Sequence, residues 1–269
     1  MDIPFEAWYA TIAARRSRRR FDPALPDGTL LERMREVCEQ FRPFPGVRAV
    51  LVTRAAEDVF KGLAGAYGKV KDAPAFVAFI GRADDPAVQE KVGYLGEGIV
   101  LEATSLGLGT CWVGGFFRPE VAAALAGAAS GEIIPAVTPL GNPVAAWTAE
   151  ERLMTGFGRT HRRKPLTALV AGMPEPEWPA WVRQGLTAAR LAPSAVNRQP
   201  WRFRVAGDSV TVAVDDPRNS YHISKRLDCG IAMLHLEVGA QKAGGKGRWE
   251  FLAEPRVARF AVAETTNPD

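Results

Sequence analysis

Gly98-Ile99 followed by Gly107 recurs as Gly230-Ile231 followed by Gly239, with the same spacing of nine and a shift of 132 positions in a chain of 269 residues. A self-similarity at nearly half the chain length reads as two degenerate copies of one unit, and it confines the fold to architectures built from a duplicated element set. Further segments echo at matching order. The strand candidate Phe76–Ile80 parallels Val210–Val214, and the helix Leu30–Phe41 with strand Ala49–Thr53 parallels the helix Trp181–Leu191 with strand Arg202–Val205. The offset is about 151 for the early elements and about 133 for the later ones, so one insertion in the first copy, Ala55–Ala73, accounts for both. The halves are expected at 1–172 and 173–269, joined through the Pro-rich stretch Met173–Pro179, which is stiff enough to lead one repeat into the next.

Ala192–Phe203, APSAVNRQPWRF, places a helix-ending proline and two short polar side chains ahead of a Gln-Pro-Trp turn. Pro193 cannot continue the preceding helix. Ser194 and Asn197 are then expected to offer side chains and free backbone N–H groups, while Pro200 and Trp201 lead into the strand. By itself this reads equally as a polar helix-to-strand loop.

A second stretch, Ile12–Phe21 (IAARRSRRRF), crowds five arginines around one serine after an amphipathic start with Phe5, Trp8, Tyr9 and Ile12 at helical spacing. Arg15, Arg16, Ser17 and Arg19 at a helix end suit a multidentate seat for a phosphate group. A solvated face, or a patch for nucleic acid or anionic lipid, is the other reading of such a run. Phe21 and the Asp22-Pro23 stop argue against a free tail.

Together the two stretches resemble the FMN-dependent nitroreductase superfamily, with its Arg-Arg-Ser-x-Arg-x-Phe motif and its Pro-Ser-x-x-Asn-x-Gln-Pro-Trp loop. Gly107–Phe116 (GLGTCWVGGF) is similar to the family segment whose backbone lies against the reactive edge of the flavin, and His161–Pro165 (HRRKP) to its late basic element. The order departs from an ordinary member: the loop follows the arginine motif by some 175 residues instead of closely. With the internal repeat, the resemblance implies an α+β, nitroreductase-like fold with two degenerate repeats in one chain. These would form an intramolecular pseudo-dimer with mixed or antiparallel central sheets flanked by helices.

The resemblance further implies one FMN per chain. Its phosphate would be held by Arg15, Arg16, Ser17 and Arg19, helped by Arg163 and His161, with Pro193, Ser194 and Asn197 along the flavin from the other half. The backbone of Val113, Gly114 and Gly115 would approach the N5 edge, where glycine permits close approach. Lys69 is similar to a polar position near flavin N1 and O2, or else is a solvent-facing lysine of the insertion. Phe116, Phe117 and Tyr221 are candidate lid aromatics, with core packing the better reading for at least one phenylalanine. The pseudo-symmetric second site is expected to be lost, because Gln40–Pro45 stands where its loop belongs and Glu175–Trp181 carries no arginine motif.

The activity so implied is an NAD(P)H oxidoreductase, with hydride passing to flavin N5 and on to a nitroaromatic, quinone or similar small-molecule acceptor by ping-pong. The alternatives are a noncatalytic flavin or nucleotide binder of the same fold, or different flavin chemistry such as dehalogenation or flavin breakdown.

A hydrophobic content of 47% with 24% charged residues leaves room for a sizeable core. No apolar run is long enough to span a membrane, and no leader pattern opens the chain, so a cytoplasmic protein is expected. Cys38, Cys111 and Cys229 form no CxxC pair, and the odd count suits a reducing compartment. Cys111 has no neighbouring base and reads as a small buried hydrophobe. His161, His222 and His235 lack ligand spacing, so no metal is assigned. The net charge of +4 permits polyanion contact, but the basic run has no interleaved aromatics; nucleic acid is not an expected partner, and fusion of the halves points to a monomer.

Overall fold

The computed structural model describes residues 1–61, 70–144, 162–218 and 222–262. The amphipathic opening folds as α1 (Phe5–Ile12), burying Trp8 and Ile12. Helix α2 (Gly28–Gln40) starts where the Asp27 carboxylate accepts the Thr29 N–H at 2.8 Å, satisfying one of the donors a helix start leaves open. Next come β1 (Val47–Val52), α3 (Ala56–Phe60), β2 (Ala75–Arg82), α4 (Val88–Ser105) and β3 (Gly109–Thr110). Helix α5 (Pro119–Ala126) has proline in its first turn and ends on Gly127 at φ +62°, and β4 (Glu132–Gly141) follows. Beyond these lie α6 (Leu166–Leu169), β5 (Val170–Gly172), α7 (Ala180–Ala189), β6 (Trp201–Ala206), β7 (Ser209–Val214), α8 (Lys225–Lys242), β8 (Gly247–Phe251) and β9 (Arg256–Val262).

The first sheet runs β1-β2-β4-β3 with every neighbour antiparallel. The second runs β5-β6-β7-β9-β8, antiparallel except for the parallel pair β5 and β6. Without β5 the two orders match strand for strand, and β5, which precedes α7 in the chain, completes the sheet that follows it. Alternate residues of β2 enter different cores: Ala75, Val77 and Phe79 join the main one, Phe76, Ala78 and Ile80 a smaller one with Val59, Phe60 and Phe117. A strand covered on both faces reads as one apolar run, as AFVAFI does.

Helices α4 and α8 are 18 residues each and cross where neither carries a side chain. A Cβ on Gly93 would stand 2.1 Å from the Leu227 carbonyl oxygen, and one on Gly230 2.0 Å from that of Glu90. These reciprocal contacts equate Gly93 with Gly230, a shift of 137 instead of the 132 inferred from the sequence pattern. The Gly98/Gly230 match is thus corrected by five residues: Gly98 instead faces Trp8 and Phe41, where a Cβ would meet the Phe41 ring at 2.4 Å. Helix α4 begins at Val88, and its first turns are buried against α8.

The main core is continuous across both halves, from Trp8 to Phe260. Five carboxylates are buried on the two crossing helices, and each has a partner as burial requires. Glu90 pairs with Arg226, Glu102 accepts from Trp8 and Arg33, Glu237 from Tyr94, Trp249 and Gln241, Asp228 from Arg198, and Glu97 meets Trp112 and His235. All three cysteines are buried and unpaired with one another. Among the described residues, no helix is long and apolar enough to cross a membrane.

Candidate functional site

After α1 the arginine stretch runs extended along the edge of the first sheet. Ser17 bridges Thr110, the Arg18 N–H donates to the Thr110 carbonyl at 2.7 Å, and Phe21 bridges Pro143. Alternation along this strand-like segment sends Arg15, Ser17 and Arg19 into a cleft. Arg16 instead folds its guanidinium onto the carbonyls of Ala13 and Arg15, outside the cleft lining, and Arg18 donates to the Val144 carbonyl.

The opposite wall is the loop after α7. Pro193, Ser194 and Asn197 line the cleft, with Ser194 extended and Val196, Asn197 and Gln199 left-handed at φ 51°, 55° and 49°. Asparagine tolerates that region, but a β-branched valine there is a genuine outlier. Asp228 on α8 holds the loop in place: its carboxylate accepts the Ala195 N–H at 3.0 Å and Arg198 Nε at 2.6 Å, while Arg198 Nη2 reaches the Ser224 carbonyl at 3.0 Å. The Asn197 N–H, expected to be free for a ligand, donates to the Ser194 carbonyl at 3.0 Å and closes the turn. Ser194 Oγ likewise accepts the Gln199 N–H at 2.9 Å.

The late basic element is stitched to this loop. Arg163 Nη1 donates to Asn197 Oδ1 at 2.8 Å, Asn197 Nδ2 to the Arg162 carbonyl at 3.0 Å, and the Lys164 N–H to Gln199 Oε1 at 2.8 Å. Arg163 reaches the cleft through this scaffold.

A third wall follows β3. The Cys111 N–H donates to Thr138 Oγ1 at 3.0 Å, and Val113 and Val137 exchange two backbone hydrogen bonds of 2.9 Å, which fixes the segment from Cys111 to Gly114 along the cleft. Gly115 is exposed and outside the lining. Phe116 lines the mouth at 40% exposure, whereas Phe117 is buried in the smaller core. Lys69, His161 and Tyr221 lie outside the described residues. Phe60, Ile223, Leu227 and Asp228 also line the cleft. Leu227 and Ile231 sit one helical turn apart, a spacing visible in the sequence, but nothing local marks Asp228 as the loop's anchor.

The cleft is electrically polar. Arg15 is buried, and no carboxylate of the described residues lies within ion-pair distance of it. Burial pushes its pKa down, with Arg16 and Arg19 adding to that and Glu97 opposing it. Burial also pulls Arg163 down to about 10, reinforced by Arg15, Arg16 and Arg190. Crowded guanidinium groups in a partly dry cleft call for an anion. Phe60, Val70, Val113, Phe116 and Ile223 add apolar lining.

The computed structure is similar to that of a "putative nitroreductase" from Thermotoga maritima, at 20% identity and a TM-score of 0.60, covering 97% of this chain and 94% of the other. An "FMN-dependent nitroreductase" from Clostridium difficile aligns over 52% of this chain and 90% of its own, at 16% identity and a TM-score of 0.43. A search of curated proteins finds no match to the sequence. The family model described as "Putative TM nitroreductase" matches residues 7–240, and the chain belongs to that nitroreductase family.

Proposed function

We propose that the chain is an FMN-dependent NAD(P)H oxidoreductase of nitroreductase type, acting as a monomer with one flavin site. The observation that carries this reading is Arg15, buried in a cleft that Arg19 and Arg163 also line, with no carboxylate of the described residues within ion-pair distance of it. The donor set fits a flavin mononucleotide: guanidinium groups and a hydroxyl for the phosphate, and apolar lining for a planar ring.

Bound FMN supplies the exchange of hydride between a reduced nicotinamide and an acceptor such as a nitroaromatic or a quinone. Arg15, Ser17, Arg19 and Arg163 hold the phosphate oxygens. Pro193, Ser194 and Asn197 would wall the ring from one element, and the backbone from Val113 to Gly114 from another. Phe60, Val70 and Phe116 would keep water from the ring, with donor and acceptor taking the cleft in turn in a ping-pong sequence. Lys69 and His161 complete the set on the resemblance alone.

One site per chain is supported by what fills the counterpart position. The shift of 137 carries Leu227 and Ile231 onto Glu90 and Tyr94, where Phe44 lies edge-on to Tyr94 and to Phe251 at 4.9 Å each and Lys91 sits over Phe251 at 5.0 Å. Visible absorbance of the purified chain with added FMN, then NADH or NADPH under nitrogen, tests the reading. One equivalent of bound flavin that bleaches and is reoxidised by a quinone supports it, whereas no binding at excess FMN overturns it. Flavin bound but never reduced by either nucleotide favours the noncatalytic binder.

A further inference from the structure

Beneath the cleft, a chain of hydrogen bonds joins α7, α8, α4 and the third wall. The Ala188 carbonyl faces His235 Nδ1 at 3.2 Å, His235 Nε2 faces Glu97 Oε1 at 2.8 Å, and Glu97 Oε2 accepts Trp112 Nε1 at 2.7 Å. Glu97 and His235 are wholly buried. A carbonyl can only accept, so Nδ1 carries a proton. One further proton then lies between Nε2 and Oε1, on the imidazole or on the carboxyl, and in either arrangement the pair sums to zero charge.

Trp112 is seated by shape as well. A Cβ on Gly96 would stand 2.4 Å from its ring, and the Phe79 ring centroid lies 4.9 Å away. The indole lines the cleft, and α7, which carries Ala188, leads directly into the Ser194–Asn197 wall. The chain of hydrogen bonds therefore ties two walls of the site together.

We propose that Glu97 and His235 are positioning residues of this cleft: the pair pins Trp112 in the wall and, being neutral overall, leaves the positive charge of Arg15 available to the anionic ligand. The role in flavin binding rests on the reading given above; the proton arrangement and the seating of Trp112 do not. The other polar and charged groups near the pair are accounted for. Glu97 lies near Arg15, which comes from the segment after α1, and among the charged neighbours of Arg15 it does most to offset the lowering of the Arg15 pKa by burial. Cys111 adjoins Arg15 from the end of β3, α7 contributes the Ala188 carbonyl, and α1 contributes Trp8 to Glu102. Glu102 on α4, and Asp228 and Glu237 on α8, are engaged by the partners named above. A lone carboxylate at position 97 would offset more of the positive charge of Arg15, and the proton shared with His235 limits this.

The test compares E97Q, H235L and the double variant E97Q/H235L with wild type, reading FMN dissociation constants and the midpoint potential of the bound flavin. In E97Q the amide can still accept from Trp112 and donate to a neutral His235, so binding is expected within about threefold of wild type. H235L strands the carboxylate; binding falls at least about tenfold and the potential moves negative. Adding E97Q to H235L removes the charge and restores both. If the double variant stays as weak as H235L, or H235L equals wild type, the electrostatic role is wrong.

The ¹⁵N spectrum of the wild-type imidazoles gives an arm independent of flavin, with His235 assigned by its loss in the E97Q/H235L protein. A protonated Nδ1 on His235 is expected, and a bare Nδ1 overturns the arrangement. If wild type binds no FMN, the flavin reading fails on its own. The pair is then judged by these spectra and by binding of inorganic pyrophosphate, with E97Q again near wild type and H235L weaker.

Discussion

The Asp228 carboxylate, 2% exposed, accepts Arg198 Nε at 2.6 Å, so a residue of the central helix holds the far wall of the cleft through a single ion pair. Burial raises the Asp228 pKa, and Arg198 and the Ala195 N–H work against that rise. The same carboxylate stabilises a loop in which Val196 sits at φ 51°.

Removing one side of this pair leaves the other charge buried. Asp228→Asn is expected to lower stability by about 3 kcal/mol and to weaken FMN binding because the loop loses its anchor. Urea unfolding and a flavin titration read the two effects. Val196→Gly relieves the left-handed strain and is expected to leave stability unchanged or raised by up to about 1 kcal/mol; a clear loss in that variant would show that the loop conformation is misread.

At the helix crossing a methyl group has no room. Gly93→Ala and Gly230→Ala each drive a Cβ onto backbone carbonyl oxygen that cannot rotate away, and a loss of about 3 kcal/mol or failure to fold is expected. Gly28→Ala, where nothing lies within 4 Å, serves as the control and should be near neutral. Equal urea midpoints for all three variants would contradict the close crossing.

Arg15→Met separates ligand binding from stability. Losing the guanidinium should weaken FMN by about 10- to 100-fold through lost charge-assisted hydrogen bonds and leave riboflavin, which lacks the phosphate, nearly unaffected. The ligand-free protein should melt no lower than wild type, because the variant removes a buried charge that no carboxylate of the described residues pairs with. Equal weakening for both flavins would move Arg15 away from the phosphate.

Glu132 gives a pH signature. Hydrogen bonds from Arg48 at 2.7 and 3.0 Å hold its pKa below the ordinary value of 4.5, helped by the Ala129 N–H. For a carboxylate depressed in the folded state, the stability it contributes is present above pH 4.5 and lost as pH falls through the lowered folded value. Glu132→Gln should therefore lower stability by about 0.5–1 kcal/mol at pH 7, with the difference from wild type shrinking in melts taken progressively below pH 4.5.

The sequence by itself determined the local elements and which segments line the cleft. Apolar spacing located α2, β2, α7, β6 and β7 within two residues of their ends, since these segments follow their intrinsic period. The arginine motif, the Pro193–Asn197 loop, the Gly107–Phe116 segment and Arg163 could be named because each needs a particular residue type at a short spacing, and residues from all four line one cleft. The tertiary structure alone decided the relations between distant segments. The shift of 137, Asp228 as anchor of the loop, the filling of the counterpart position by Phe44 and Phe251, and the bond series from Ala188 to Trp112 all depend on how α4 and α8 cross. Of the two glycines that set this crossing, Gly93 shows no distinguishing pattern among 26 glycines, and the repeat pattern paired Gly230 with Gly98 instead. A close helix approach is fixed by the carbonyls of the facing helix, and sequence spacing within one helix carries no information about them.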